Sequence, residues 1–259
     1  MGCADPCRDA VAVACGGAAT FAKHGSPVVE ESIAAMCGRY SFTLPPEAIR
    51  ELFRVVTVLN LQPRYNIAPT QVVPVVGLEP SGERALKQFR WGLIPRWSKE
   101  LPKAAPLINA RSEGIAASRM FGEAFQRRRC LVPADGFYEW RKDKSDKRPW
   151  RIVDAERPAF SFAGVWDGWR NPEGEIVRSF AIVTTDANET LAPIHDRMPV
   201  MLTREDEDAW LDPNSTEPKL LSLLAPYDAA RTELYQVDVR VNSVKNDDPQ
   251  CLVNRTDDA

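Results

Sequence analysis

Most apolar runs along the chain have the length and composition of β-strands. Seven of them are rich in β-branched and aromatic residues, and Gly, Pro or charged residues bound them, which predicts strands. The seven runs are VVPVVGL (72–78), ALKQFRWGLI (85–94), RCLVPADGFYEW (129–140), PWRIVD (149–154), AFSFAGVWDGW (159–169), RSFAIVTTDA (178–187) and MPVML (198–202).

Helical spacing is confined to a few short segments. PPEAIRELF (45–53) opens with Pro, SEGIAASRMFGEAFQRR (112–128) follows a predicted cap, and REDEDAWL (204–211) is acidic in its first turn. PRYNIAPTQ (63–71) carries two prolines and an Asn and predicts a loop. Consecutive strands with a few helices that do not alternate with them predict an α+β fold, a single domain with an antiparallel, barrel-like β core and flanking helices.

The N-terminal 35 residues differ in composition from the rest of the chain. Residues 1–35 are rich in Ala, Gly and Val, hold three of the six Cys and contain no Trp or Tyr. We expect them to lie outside the core. The predicted domain runs from 36 to 252, and residues 253–259 are expected to form a C-terminal tail.

Composition narrows the class of protein. The 259 residues include no apolar run near the roughly 20 needed to cross a bilayer. The six cysteines have no paired metal-ligand spacing and are sparse for a disulfide scaffold. We therefore expect a cytoplasmic protein, nucleoid-associated if bacterial, without a membrane partner, metal or cofactor. The absence of an obvious pairing element favours a monomer.

Charge is unevenly distributed, although the net charge is only −3. From Arg84 to Arg151 there are 17 Lys and Arg against 7 Asp and Glu, and from Glu205 to the end there are 5 against 13. The basic block also holds four of the seven tryptophans. Both blocks could be ordinary solvated faces, but cations interleaved with aromatics also suit single-stranded nucleic acid.

Four polar residues are candidates for catalysis or binding. His195 lies in a Pro- and charge-rich loop before a strand, and Glu139 stands among aromatic residues at the end of an apolar run. Glu139 could face solvent or be buried with a raised pKa, as a general acid requires. Asn109 and Arg111 precede a predicted helix, which Ser112 or Asn109 could cap. Alternatively, the Asn109 amide and the Arg111 guanidinium could both face a phosphate or sugar.

Cys37 follows Met36 directly and has a special chemistry if it becomes the N-terminus. Its α-amine and thiol would then stand on adjacent carbons, and the two together can condense with an aldehyde to a thiazolidine. An internal Cys37 has an amide nitrogen and cannot do so. We expect Met36 to be the true initiator, removed after synthesis. The alternative is a pro-segment that is cut before Cys37.

Eight motifs occur in one order from Met36 to about Leu252. They are MCGRYSF, RYNIAPTQ, RWGLIPRW, NARSE, CLVPADGFYEW, FAGVWDGW, FAIVTTDAN and IHDRMPVML. In this series the chain resembles the SOS-response-associated peptidase (SRAP) family of abasic-site-processing proteins.

The resemblance implies a function and roles for particular residues. The protein would bind abasic sites in single-stranded DNA, at single-strand to duplex junctions, and Cys37 would trap the open-chain sugar as a thiazolidine. Asn109 would position the sugar and the amine, Glu139 would act as acid and base, and His195 would open the sugar ring. DNA contacts are implied for Arg39, Trp91, Trp97, Arg111 and Arg197. Lyase and self-cleaving peptidase activities are also implied.

Two alternatives from other classes remain open at this point. One is a cysteine hydrolase with Cys37 and His195 as its dyad and Asp196 nearby. The other is a non-covalent single-strand binder that uses the basic, tryptophan-bearing block and survives Cys37→Ser.

Overall fold

The computed structural model describes Met1 and residues 37–56, 61–102, 105–141 and 148–256. The chain divides into two units, Met1–Ser32 and Ile33–Ala259, and every described helix and strand belongs to the second. Apart from Met1, the predicted extension 1–35 lies outside the described residues, as does Met36.

Thirteen strands and four α-helices make up the described part of the second unit. The strands are β1 (Arg39–Phe42), β2 (Arg64–Ile67), β3 (Val72–Leu78), β4 (Arg84–Trp91), β5 (Asn109–Arg111), β6 (Arg129–Ala134), β7 (Gly136–Glu139), β8 (Trp150–Asp154), β9 (Phe160–Arg170), β10 (Ile176–Asp186), β11 (Arg197–Pro199), β12 (Met201–Leu202) and β13 (Thr232–Gln236). The helices are α1 (Pro46–Phe53), α2 (Gly122–Arg127), α3 (Arg204–Leu211) and α4 (Glu217–Ser222).

Five strands close into a β-barrel. The order around the ring is β10, β4, β3, β6 and β9, and the pairing of β9 with β10 closes it. These strands are nearly continuous runs of buried residues because both the barrel interior and the covering elements bury them. The α+β fold with a barrel-like core is thus confirmed, although β10 runs parallel to both β4 and β5.

A second sheet packs on the barrel and carries the start of the domain. Its order is β13, β8, β7, β1 and β2. Tyr40 of β1 makes edge-to-face contacts with Trp91 of β4 and Phe162 of β9, and Phe137 of β7 also meets Phe162. These buried rings join the two sheets into one hydrophobic core.

Three predicted segments differ from the structure. The run 129–140, predicted as one strand, is divided between β6 of the barrel and β7 of the second sheet. The segment 63–71 contains strand β2, because Asp247 accepts hydrogen bonds from the backbone N–H groups of Tyr65 and Asn66 and fixes this short stretch beside β1. The predicted helix 112–128 is helical only in α2. Gly114 has φ +76° in the turns ahead of it, a left-handed conformation that a continuing helix does not allow.

The C-terminal end is attached to the second sheet. Val237 forms a β-bridge with Asn254, and the backbone N–H of Arg255 donates to Gln236 O at 2.8 Å. The ordered chain therefore continues past residue 252, and only residues 257–259 of the expected tail lie outside the described part.

Within the described ranges, no helix has the length and apolar composition to cross a membrane.

Candidate active site

Cys37 and Glu139 lie side by side because β1 and β7 are antiparallel. Arg39 pairs with Tyr138, so the residues just before β1 stand beside the last residue of β7. The backbone N–H of Cys37 donates to Glu139 Oε1 at 2.7 Å. Cys37 has φ +47°, an unusual value for a residue with a side chain. The strand pairing thus places the Glu139 carboxylate within hydrogen-bonding distance of the nitrogen that would become the α-amine.

Both side chains are buried, and burial shifts both toward their neutral forms. Cys37 and Glu139 are each 3% exposed. Burial raises the pKa of the Glu139 carboxyl, while the charge of His195 and the hydrogen bonds from Cys37 oppose this increase. Burial, followed by the charge and hydrogen bond of Glu139, raises the pKa of the Cys37 thiol well above its usual range, and Arg197 opposes this. Glu139 is therefore suited to holding and releasing a proton beside a protonated thiol.

His195 lies just before β11 with a defined ring orientation. Its Nδ1 accepts the backbone N–H of Arg197 at 3.1 Å, so the neutral imidazole carries its proton on Nε2. When the ring is protonated, Nδ1 faces the carboxylate of Asp196 at 3.3 Å. The side chain is 16% exposed, so the ring is held in place and still reachable.

Asn109 and Arg111 occupy the two ends of β5. This strand pairs in parallel with β10, and Asn109 stands opposite Ile182. Because residues two apart in a strand share a face, the two side chains project from the same side of β5. Asn109 is half-buried and Arg111 is exposed. The cap role expected for Ser112 or Asn109 is excluded, because turns separate both residues from α2, whose N-cap residue is Phe121.

Arg197 joins the NARSE and IHDRMP motifs through a residue that the sequence analysis missed. Its guanidinium forms an ion pair with both carboxylate oxygens of Glu113 and a second ion pair with Asp186. The hydrogen bond that Arg197 donates to Glu113 is the main cause of a raised Arg197 pKa, so this side chain keeps its charge. Glu113 is the last residue of the NARSE motif, and its place in that motif was the sequence feature that could have pointed to it.

Arg39 fastens a C-terminal segment beside Cys37. Its guanidinium donates to Asn66 Oδ1 at 3.0 Å and to Val241 O at 2.7 Å. Trp140, next to Glu139, donates from Nε1 to Asn242 Oδ1 at 2.7 Å. Residues on both sides of the Cys37–Glu139 pair therefore hold the segment around residues 241–242, which sequence reasoning did not connect with the site.

The two tryptophans expected at the DNA surface have opposite environments. Trp97 is 60% exposed, on the chain that follows β4. Trp91 is fully buried, donates from Nε1 to Ile108 O at 3.0 Å and stacks on Phe180. Trp91 therefore belongs to the core and has no exposed face for a base, which corrects the expectation of a base contact at this position.

Among the residues that the structure describes, no group of three or more His, Cys, Asp or Glu side chains could hold a metal ion. The three described cysteines, Cys37, Cys130 and Cys251, are free and buried.

The barrel, the second sheet and the buried Cys37–Glu139 pair define an α+β domain with a candidate cysteine site at its first strand. The model of the SOS response associated peptidase (SRAP) family matches residues 36–244, and this chain belongs to that family.

Named relatives and a solved structure agree with this assignment. Abasic site processing protein YoqW of Bacillus subtilis is 41% identical over 222 residues, covering 84% of this chain and 99% of that protein. Abasic site processing protein HMCES of Xenopus tropicalis is 32% identical over 263 residues, covering 84% and 78%. A crystal structure of a protein from Bacteroides thetaiotaomicron matches with a TM-score of 0.76 and 28% identity, covering 84% of this chain and 99% of that one.

Proposed function

We propose that this protein processes abasic sites in single-stranded DNA by a covalent cross-link through Cys37. Its relatives YoqW and HMCES carry the name abasic site processing protein. The single observation that carries the mechanism is the 2.7 Å contact between the Cys37 nitrogen and the Glu139 carboxylate. This contact puts an acid–base group beside the nitrogen that attacks the aldehyde.

The chemistry proceeds in two steps from the open-chain sugar. The Cys37 α-amine adds to the C1′ aldehyde and loses one water to give a Schiff base. The Cys37 sulfur then adds to the C=N carbon, and the thiol proton moves to the nitrogen, closing a five-membered thiazolidine. The same Schiff base permits β-elimination of the 3′ phosphate, so a lyase activity is a side branch of this route.

Glu139, His195 and Asn109 each have a role in these steps. Glu139 takes a proton from the amine as it attacks and returns one to the departing water, and in reverse it helps to open the adduct. His195 donates a proton from Nε2 to the ring oxygen of the sugar and so opens it to the aldehyde. Asn109 positions the sugar and the amine.

The reaction requires that the residues before Cys37 be removed. With Met36 attached, the Cys37 nitrogen is an amide and forms no Schiff base. Removal of an initiator Met36, cleavage of a pro-segment or self-cleavage by the protein would each release the amine. The family match begins at residue 36, which supports a boundary at this point.

The DNA-contacting set consists of Arg39, Arg111, Arg197 and Trp97. Exposed Arg111 follows Asn109 on β5, and exposed Trp97 offers a ring for stacking at a single-strand to duplex junction. Arg39 follows Cys37 by two residues, so a phosphate bound to it would lie close to the abasic sugar.

The proposal is tested with a single-stranded oligonucleotide that contains one abasic site, analysed under denaturing conditions. We expect a protein–DNA product that survives boiling in detergent, requires the abasic site and disappears in Cys37→Ser. Cys251→Ser is the matched control, because a hydroxyl can replace the buried Cys251 thiol as donor to Asn246 O. Its product should be unchanged.

The alternatives predict different results. Complete release of the DNA by detergent would reject the covalent mechanism and leave non-covalent single-strand binding. A cysteine hydrolase would turn over peptides or esters and would need an ionised thiol. The raised pKa of the Cys37 thiol argues against this alternative.

A further inference from the structure

The terminal nitrogens of Arg197 donate to four acceptors within the protein. Nη1 donates to the Glu113 carboxylate and to Asp186 Oδ1 at 2.7 Å. Nη2 donates to the other Glu113 oxygen at 2.9 Å and to Thr184 O at 2.8 Å. These bonds account for all four N–H groups of the two terminal nitrogens. The remaining donor, Nε, is buried and has no partner among the described residues, so an incoming DNA phosphate must take the place of one of these acceptors.

Glu113 is the acceptor that a phosphate would replace most closely, because it accepts from both terminal nitrogens. Thr184 O is a backbone atom of β10, and Asp186, whose side chain is 78% exposed, accepts from Nη1 alone. Glu113 instead lies in the turns after β5, and its side chain is 55% exposed. A carboxylate so open to water forms a weak, exchangeable ion pair. Its two oxygens accept from the two terminal nitrogens of the Arg197 guanidinium. These nitrogens form a planar pair of donors that phosphate oxygens also prefer.

The charge of Glu113 opposes the polyanion that the site is expected to bind. The hydrogen bond from Arg197 is the main cause of a lowered Glu113 pKa, and the charge of Arg111 contributes as well, so this carboxylate is ionised at neutral pH. A fixed anion thus stands beside two cations of the DNA-contacting set. It also accepts two of the four terminal N–H bonds of a guanidinium that is only 10% exposed.

We propose that Glu113 occupies the phosphate-binding fork of Arg197 in the DNA-free protein, and that a backbone phosphate of the single strand displaces it. Glu113 then acts as an internal competitor that lowers the affinity of the protein for any single strand. It releases Arg197 to a phosphate only when DNA is bound. This inference rests on the proposed DNA-binding function, but it does not require the covalent step.

The first test compares the affinities of Glu113→Gln and wild type for an undamaged single-stranded oligonucleotide, measured by fluorescence anisotropy on the full chain. Gln keeps the shape of the side chain and removes its charge. We expect about 3- to 10-fold tighter binding in the variant, as for removal of a like charge at an interface. Glu79→Gln is the matched control, because Glu79 is 43% exposed and paired with Lys87 on the β3–β4 hairpin. It should bind like wild type.

The second test asks whether the effect passes through Arg197. In an Arg197→Gln background, the affinity gained by Glu113→Gln should disappear, which is the signature of coupling between two contacting residues. Unchanged or weaker binding by Glu113→Gln, or an equal gain in both backgrounds, would overturn the inference. Thermal unfolding of each variant checks that the fold is retained.

Failure of the proposed function has a separate readout. A wild-type protein that forms no stable adduct with abasic DNA, while Glu113→Gln still tightens binding to undamaged DNA through Arg197, would reject the thiazolidine and retain this inference. A stable adduct, together with an unchanged DNA affinity of Glu113→Gln, would retain the proposed function and reject this inference.

Discussion

Glu139→Gln should change two properties of Cys37 in opposite directions. Gln keeps the size of the side chain and an oxygen acceptor near the Cys37 nitrogen, but it carries no negative charge and transfers no proton at neutral pH. Cross-linking should become slower because the acid–base group is lost. The Cys37 thiol should ionise more readily, because the charge and hydrogen bond of Glu139 help to raise its pKa.

The size of the kinetic effect follows from the geometry of the contact. The 2.7 Å hydrogen bond joins a fully buried carboxyl to the attacking nitrogen. A hydrogen bond to a charged group is worth about 1.5–3 kcal/mol, which corresponds to about 10- to 150-fold in rate. General acid–base catalysis contributes about 10²- to 10⁴-fold. Because the two terms overlap, we expect Schiff-base formation to slow by about 100-fold.

The assay measures both properties in the same preparation. Cross-link formation and reversal are followed on denaturing gels against time. Ionisation of Cys37 is followed as the pH dependence of its alkylation, with peptide mass analysis to separate it from Cys130 and Cys251. Glu79→Gln controls for the loss of one negative charge. An unchanged cross-linking rate would remove Glu139 from the mechanism, and an unchanged pH profile of alkylation would refute the electrostatic argument.

Three further variants test the surroundings of the site. Trp97→Ala should weaken single-strand binding by about 1–3 kcal/mol without lowering stability, and equal affinity would show that the exposed ring does not stack on bases. Trp210→Ala removes a fully buried indole that donates to Cys130 O and should cost about 3–5 kcal/mol in chemical denaturation. Arg84→Ala removes the cation paired with buried Glu207 at 2.7 Å and leaves that carboxylate, among the described residues, only the hydrogen bond from Ser161, so we expect a loss of about 3–5 kcal/mol. A loss below 1 kcal/mol at either buried position would contradict the packing described above.

The strands were the most predictable part of the fold because their residues are buried on both sides. Runs such as VVPVVGL coincide with β3, and the acidic first turn of REDEDAWL marks α3 correctly. The failures have local physical causes. Strand β2 depends on Asp247, which lies far away in sequence, and the segment before α2 is interrupted at Gly114.

The site could be predicted as a set of residues but not as a geometry. Motif order pointed to Cys37 and Glu139, yet only the β1–β7 register shows that the carboxyl reaches the Cys37 nitrogen. The structure buries Trp91, which excludes it as a DNA contact. The aromatic pattern of the sequence alone could not predict this, because it does not separate a core ring from a surface ring. The Glu113–Arg197 pair joins motifs 84 residues apart, a contact that no local pattern contains.

The most direct test of the account is the intact mass of the protein, expressed from its complete coding sequence, before and after mixing with a single-stranded oligonucleotide that contains one abasic site. The account predicts a free protein whose mass begins at Cys37 and an adduct whose mass equals protein plus DNA less one water. A free protein that begins at Cys37 and forms no stable adduct would contradict it. So would a stable adduct on a chain that retains residues ahead of Cys37, because its amide nitrogen cannot close a thiazolidine.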